Sequence, residues 1–135
     1  MITAIDTNVL MDIFTADTKF AEKSAATLRN CLNKGSVVAC DIVWAETSSV
    51  FTDTSQFNSI INSLSIQFSP MDSASAQLAG EFWQQYRKKG GSKSRIVADF
   101  LIAAHALLQC DCLLTRDKGF YRKYFKNLKI IDPTK

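Results

Sequence analysis

Ile2-Thr3-Ala4-Ile5-Asp6-Thr7-Asn8-Val9-Leu10 decides the fold of this chain. A short run of mostly β-branched character leads into Asp6, a carboxylate placed where a strand should end. Thr7 and Asn8 follow as turn and cap residues, and Val9-Leu10-Met11-Asp12-Ile13-Phe14 then moves towards helical spacing. In open α/β sheets, ligands bind just beyond the carboxyl ends of the strands. Asp6 therefore points at a site before any other residue is considered. The simpler alternative is that it only caps the next helix. Three later segments shift the balance, because each delivers a carboxylate to an otherwise apolar setting.

The segments come in order along the chain. Asp17 or Thr18 can cap a second helix that runs to about Lys34, where Gly35 supplies the stop. Ser36-Val37-Val38-Ala39-Cys40 reads as a buried strand, and Asp41 as the cap of a third helix from Ile42 to about Phe51. Glu46 lies inside that helix on the face of Ile42, Val43, Ser49 and Val50, the stripe that should meet the core. Glutamate is rarely buried there without a partner. A slightly rotated helix would instead leave it at the boundary. A fourth helix is expected over Ser55–Leu64, a strand over Ser65–Ser69 ended by Pro70, and a long helix from Asp72 or Ser73 to about Lys88. Trp83 and Tyr86 of the long helix read as core rather than as a base-stacking platform. Gly90-Gly91-Ser92-Lys93-Ser94 lacks both the ending and the preceding strand of a phosphate-binding loop, and reads as a linker.

Ile96 to Leu108 is apolar almost all round, as in a helix buried on most sides, yet it carries Asp99 in its first turn. A helix N-terminus favours an anion, but that effect is small beside the cost of burying an unpaired carboxylate. An ordered cation is the natural compensation. His105, six residues on, points about a third of a turn away from Asp99 and reads as structural. Cys112-Leu113-Leu114-Thr115 is then a short strand, with Asp117 just past its carboxyl end as Asp6 is past the first. Thr115 can orient a carboxylate or a water. A short helix over Tyr121–Phe125 and a strand over Leu128–Ile131 close the chain.

Composition narrows the class. The chain has 135 residues, 47% of them apolar and only two proline, so it is expected to fold as one domain over residues 1–135. No apolar run reaches the ~18 residues of a membrane span, and no basic segment precedes an apolar one at the N-terminus, so a soluble, cytoplasmic protein is expected. Cys31, Cys40, Cys110 and Cys112 show no zinc spacing and are expected to be reduced and mostly buried. The net charge of +3 is modest, but Arg87, Lys88, Lys89, Lys93 and Arg95 form one basic cluster. Lys118, Arg122, Lys123, Lys126 and Lys129 form another. Such clusters are usually solvated faces; two of them beside an acidic site would suit a polyanion.

Alternating strands and helices imply an α/β architecture, a central, mainly parallel sheet with helices on both faces. In that arrangement the chain ends after Ile5 and Thr115 can be neighbours. Four gathered carboxylates would repel one another unless something positive sat among them. Hard oxygen donors with no nearby His or Cys cluster suit Mg²⁺ or Mn²⁺ rather than zinc. The chemistry inferred is metal-assisted phosphodiester hydrolysis, with no serine, cysteine or histidine nucleophile.

The same residues carry a family likeness. The chain resembles PIN domains, and in particular small ribonuclease toxins of the VapBC toxin–antitoxin type. The likeness rests on Ile5-Asp6-Thr7-Asn8-Val9-Leu10, on Glu46 within Val43-Trp44-Ala45-Glu46, on Ala98-Asp99-Phe100-Leu101-Ile102-Ala103-Ala104-His105-Ala106, and on Leu114-Thr115-Arg116-Asp117-Lys118-Gly119-Phe120. It spans essentially the whole chain; each motif alone is weak, and the four together are specific. The resemblance implies a three-layer α/β/α domain in which Asp6, Glu46, Asp99 and Asp117 form an acidic quartet around Mg²⁺ or Mn²⁺, supported by Asn8 and Thr115. It further implies endonucleolytic cleavage of structured RNA such as tRNA or ribosomal RNA, leaving a 5′-phosphate and a 3′-hydroxyl. A toxin homodimer, neutralised by a cognate antitoxin protein, completes the expectation.

Two other readings stand beside it. A catalytically silent PIN-like module could bind RNA or a protein with the same acids. A phosphatase of the haloacid dehalogenase type also has an Asp after its first strand, but it wants a second Asp where this chain has Asn8.

Overall fold

The short apolar runs become parallel strands. The computed structural model describes residues 1–91, 97–117 and 119–135. Among these, the strands are β1 (Ile2–Ile5), β2 (Ser36–Ala39), β3 (Ile66–Phe68), β4 (Cys112–Leu114) and β5 (Ile130–Ile131). Between them lie α1 (Thr7–Phe14), α2 (Ala21–Lys34), α3 (Asp41–Ser48), α4 (Thr54–Ser63), α5 (Ser73–Lys88), α6 (Val97–Gln109) and α7 (Phe120–Tyr124). The sheet order is β3-β2-β1-β4-β5, and each pairing is parallel. The expected α/β/α layering, a parallel sheet flanked by helices, is what the chain adopts.

That order places the site. Successive strands step one way from β1 to β3, then the chain returns to lay β4 on the other side of β1. The reversal between β1 and β4 is a topological switch point, where the connections diverge and leave a crevice at the carboxyl ends. Ile5 stands opposite Leu114, and the Asp6 N–H extends the ladder by donating to the Leu114 carbonyl at 2.9 Å. Asp6 and Thr115, 109 residues apart in sequence, thus begin side by side.

α6 packs against α5, α3, β1 and β4. Its Ala103, Ala104 and Ala106 are buried, and their small side chains let neighbouring backbones approach closely. His105 is buried as a structural residue, its Nε2 within 2.9 Å of Ser69 Oγ. Burial pushes its pKa down, which favours the neutral ring. Edge-to-face and tilted aromatics then join α5, α6 and α7: Tyr86 meets Phe100 at 5.4 Å, and Phe100 meets Phe120 at 5.0 Å. Tyr86 is core, as expected, whereas Trp83 is half-buried beneath the Arg87 guanidinium at 4.5 Å. Cys31, Cys40 and Cys112 are buried free thiols and Cys110 is half-buried.

Several boundaries differ from expectation for local reasons. Asp41 does not cap α3; it is the first helical residue, after an extended Cys40 whose side chain makes no cap bond. Its charge still suits a helix first turn. α3 stops at Ser48 instead of continuing to Phe51. Thr47, Ser48 and Ser49 donate their hydroxyls back to the carbonyls of Val43, Ala45 and Glu46 at 2.7, 3.2 and 2.7 Å, competing with continuation of the helix. Asp17 accepts from the N–H groups of Lys19 and Phe20, so it orders a turn before α2 rather than capping the helix itself. Asp72 caps α5 as expected, accepting from Ser75 N at 2.8 Å. β5 is confined to two residues. Of the linker reading, residues 92–94 lie outside the described residues, as do Lys93, Arg95 and Lys118 of the basic clusters.

Gly35 ends α2 with φ +158°, and a Cβ there would collide with the backbone of Met1, whose carbonyl accepts from Ser36 N at 3.0 Å. Gly35→Ala should therefore lower the unfolding free energy by more than about 1 kcal/mol in urea titration, through displacement of Met1 at the start of the β1–β2 pairing. An unchanged midpoint would show that Met1 moves aside without cost.

Candidate functional site

Asp6 is the centre of the site and is only 5% exposed. It follows β1 directly and caps α1: its Oδ1 accepts from Thr7 N at 2.7 Å. Its Oδ2 accepts from Thr115 Oγ1 at 2.8 Å and, more weakly, from Asn8 Nδ2 at 3.4 Å. Capping and a place in the site are therefore the same geometry seen from two sides. Asn8 Nδ2 also reaches Thr115 Oγ1 at 3.3 Å, and Asn8 Oδ1 accepts from Arg116 N at 3.2 Å. The two polar residues read from sequence thus tie the end of β1 to the end of β4.

The other carboxylates approach from three directions. Asp117 N donates to Thr115 Oγ1 at 3.0 Å, which sets the turn after β4. Asp117 Oδ1 accepts from Gly119 N and Phe120 N at 3.0 and 2.8 Å, so one oxygen holds the start of α7. Asp99 sits half-buried in the first turn of α6, close enough to Asp6 for its charge to oppose ionisation there. Glu46 is half-buried on α3, at the boundary rather than on the core side, and accepts from Thr7 Oγ1 at 2.8 Å. Asp6, Asp99 and Asp117 also all act on one phenol, Tyr121.

Electrostatics follow from this crowding. Burial pushes the Asp6 carboxyl from 3.8 up to about 6, and the Asp99 charge adds to the rise. Hydrogen bonds from Thr115, the Thr7 N–H and the Tyr121 hydroxyl pull the other way without cancelling it. The Tyr121 phenol is pushed up by its own burial and by the Asp6 and Asp99 charges, so it stays protonated and donates to Asp6. Tyr121 was not legible as a site residue in the sequence, nor was Thr7 as the link to Glu46. An Asp within an apolar helix could have flagged Asp12, which is 3% exposed. Asp12 receives Arg116 Nε and Nη2 at 2.7 and 2.9 Å and Ser24 Oγ at 3.0 Å. The Arg116 guanidinium also lies 4.0 Å above the Phe20 ring. This clamp ties Arg116, next to Asp117 in the turn after β4, to Asp12 of α1.

Among the described residues, no three His, Cys, Asp or Glu side chains are arranged to hold a metal ion. The donor set nevertheless fits a hard cation in kind. All are oxygens, and Mg²⁺ is commonly held by one or two carboxylates, with waters and substrate phosphates completing its shell. A buried carboxylate whose ionisation is opposed by its neighbour has a clear electrostatic use for such an ion.

The PIN domain family model matches residues 3–126. The chain belongs to the PIN domain family. Solved structures share its fold. VapBC2 from Rickettsia felis, bound to a DNA fragment from its promoter, superposes with a TM-score of 0.77 at 20% identity, covering 98% of each chain. VapBC-1 from nontypeable Haemophilus influenzae gives 0.75 at 20% identity over 100% of each chain. A toxin–antitoxin complex from Klebsiella pneumoniae gives 0.68 at 16% identity over 97% of each chain. No curated protein sequence matches the chain. Among the described residues of this PIN domain, no helix is long and apolar enough to cross a membrane.

Two measurements test the geometry. Because the folded-state pKa of Asp6 is raised, the native protein holds this proton more tightly than the unfolded chain does. The resulting stabilisation is complete below the unfolded value near 3.8 and is lost as pH rises through about 6. Carboxyl-carbon NMR of chelator-treated protein should find the Asp6 midpoint near 6, whereas a midpoint at or below 4 would contradict its burial among acids. Separately, Arg116→Ala should cost about 3 kcal/mol by leaving Asp12 buried and unpaired, and Asp12→Leu combined with Arg116→Leu should recover much of that loss. Equal destabilisation in both variants would rule out the clamp.

Proposed function

We propose that this PIN domain is a metal-dependent endoribonuclease, the toxin of a type II toxin–antitoxin pair, with residues 1–135 acting as one nuclease unit. What supports the reading is the buried Asp6 at the switch point of the sheet, with Asp99 near enough to oppose its ionisation, Asp117 acting on the same Tyr121 phenol and Glu46 joined to the end of β1 through Thr7. In this reading Asp6 and Asp99 hold a Mg²⁺ or Mn²⁺ ion, Asp117 offers its second oxygen directly or through water, and Glu46 acts as ligand or as anchor for Thr7. A bound divalent ion would lower the pKa of a coordinated water, orient it and neutralise charge on a phosphoryl oxygen.

The chain's own groups do the rest. Thr115, Asn8 and the Thr7 N–H hold the Asp6 carboxylate in a fixed orientation. The Tyr121 hydroxyl acts on the same carboxylate and favours its charged form. The Arg116–Asp12 clamp keeps Asp117 in register with Thr115. Chemistry through an activated water needs no 2′-hydroxyl nucleophile, so the expected ends are a 5′-phosphate and a 3′-hydroxyl. Structured RNA, tRNA or ribosomal RNA, is the proposed substrate, and the working form a homodimer. The VapBC and toxin–antitoxin neighbours support an antitoxin as its protein partner.

Purified protein, free of any partner, should cut total cellular RNA into discrete fragments with Mg²⁺ or Mn²⁺ and not with chelator. Asp6→Asn and Asp99→Asn should each lower the rate about 100-fold or more while circular dichroism stays unchanged. RNA binding that survives both substitutions, with no cleavage in excess Mn²⁺, would make the chain a silent binding module instead.

A further inference from the structure

A second feature lies at the far end of α7. A cavity of about 640 Å³ opens between the C-terminal half of α5, α6 and the segment that follows α7. Among the described residues that line it, none is one of the site carboxylates and none is acidic. Lys89, Lys123 and Lys126 stand around it, and each is exposed. Phe82 and Tyr124, both half-buried, offer ring surface, and Gln85 and Asn127 offer amide groups. Lys123 Nζ lies 5.3 Å from the Tyr124 ring centroid, so cation and ring already share one edge of the cavity.

We propose that this cavity binds a nucleotide unit of single-stranded RNA flanking the cleaved bond. The inference rests on the nuclease reading given above. Three cations without a carboxylate call for an anion, and a phosphodiester supplies one at every residue of the strand. Aromatic rings beside amide donors and acceptors suit a base, which stacks on the one and is read at its edge by the other. The cavity volume is within the range of small-ligand sites.

Its connection to the carboxylates is direct. Asp117 holds the start of α7, Tyr121 in its middle donates to Asp6, and Lys123 and Tyr124 at its end line the cavity. α7 has five residues and is therefore about 7 Å long. A strand whose phosphate lies at Asp6 thus reaches the cavity within a few nucleotides. Tyr124 packs on Tyr86 and Phe120, each with ring centroids at 5.2 Å, which joins this wall of the cavity to the core.

The test is fluorescence anisotropy with a short labelled single-stranded RNA in chelator, so that cleavage plays no part. Lys123→Gln with Lys126→Gln should weaken binding about tenfold and lower the slope of log K against log salt by about 1.4. Removing equal charge elsewhere, by Lys23→Gln with Lys34→Gln on α2, should change affinity less than about twofold. An abasic strand should bind wild type at least about fivefold more weakly than the RNA does. Equal loss in both double variants, or equal affinity for the abasic strand, would overturn the proposal. So would a polyglutamate peptide that needs these lysines when the RNA does not. Binding through the lysines without any metal-dependent cleavage would remove the nuclease reading alone. Cleavage unaffected by the double variant, with unaltered RNA binding, would remove this site alone.

Discussion

Asp6 is a carboxylate buried at the end of a central strand, and much of the molecule is arranged around the cost of keeping it there. Desolvation disfavours its charge, and Asp99 adds to the penalty. The protein answers with hydrogen-bond donors: Thr115, Asn8, Tyr121 and the Thr7 N–H. It does not answer with its nearest sequence-linked cation. Arg116, adjacent to Asp117, is committed to Asp12 by a bidentate pair and covers Phe20. In the proposed reading, the carboxylates gathered near the ends of β1 and β4 are what recruit a divalent ion.

The sheet order makes such a centre economical to build. Because β1 sits between β2 and β4, residues that follow β1 and β4 meet at one edge without any long loop. Thr115 is the hub there, donating to Asp6 while accepting from Asp117 N and Asn8. α6 brings Asp99 to the same edge because its apolar girth lets it sit against α5, α3 and two strands at once. α7 extends the edge outward and links it to the lysine-lined cavity.

Much of this was legible in the residues. Strands reveal themselves as short apolar runs, and a carboxylate soon after two of them, Asp6 at once and Asp117 three residues on, marked the carboxyl edge of a parallel sheet. Asp99 stood out because charge is expensive in an otherwise apolar helix, and His105 read correctly as structural from its helical angle. What escaped depended on side-chain reach across the fold. Tyr121 looks like an ordinary core aromatic until the turn after Gly119 aims its hydroxyl at Asp6. For Glu46 the core stripe and the boundary both stood open, and it is the boundary, where Thr7 meets it, that the fold selects. Helix ends were missed where hydroxyls compete for carbonyls, as at Thr47 to Ser49, a contest that periodicity does not register.

The central claim is that a divalent cation belongs among these carboxylates, and paramagnetic NMR tests it without reference to any substrate. Substoichiometric Mn²⁺ added to labelled protein should broaden the amide signals of Asp6, Thr7, Asp99, Thr115 and Asp117 first, and excess Mg²⁺ should restore them. Broadening that spares these residues, or that settles on exposed acids such as Asp41 and Glu81 instead, would contradict the account.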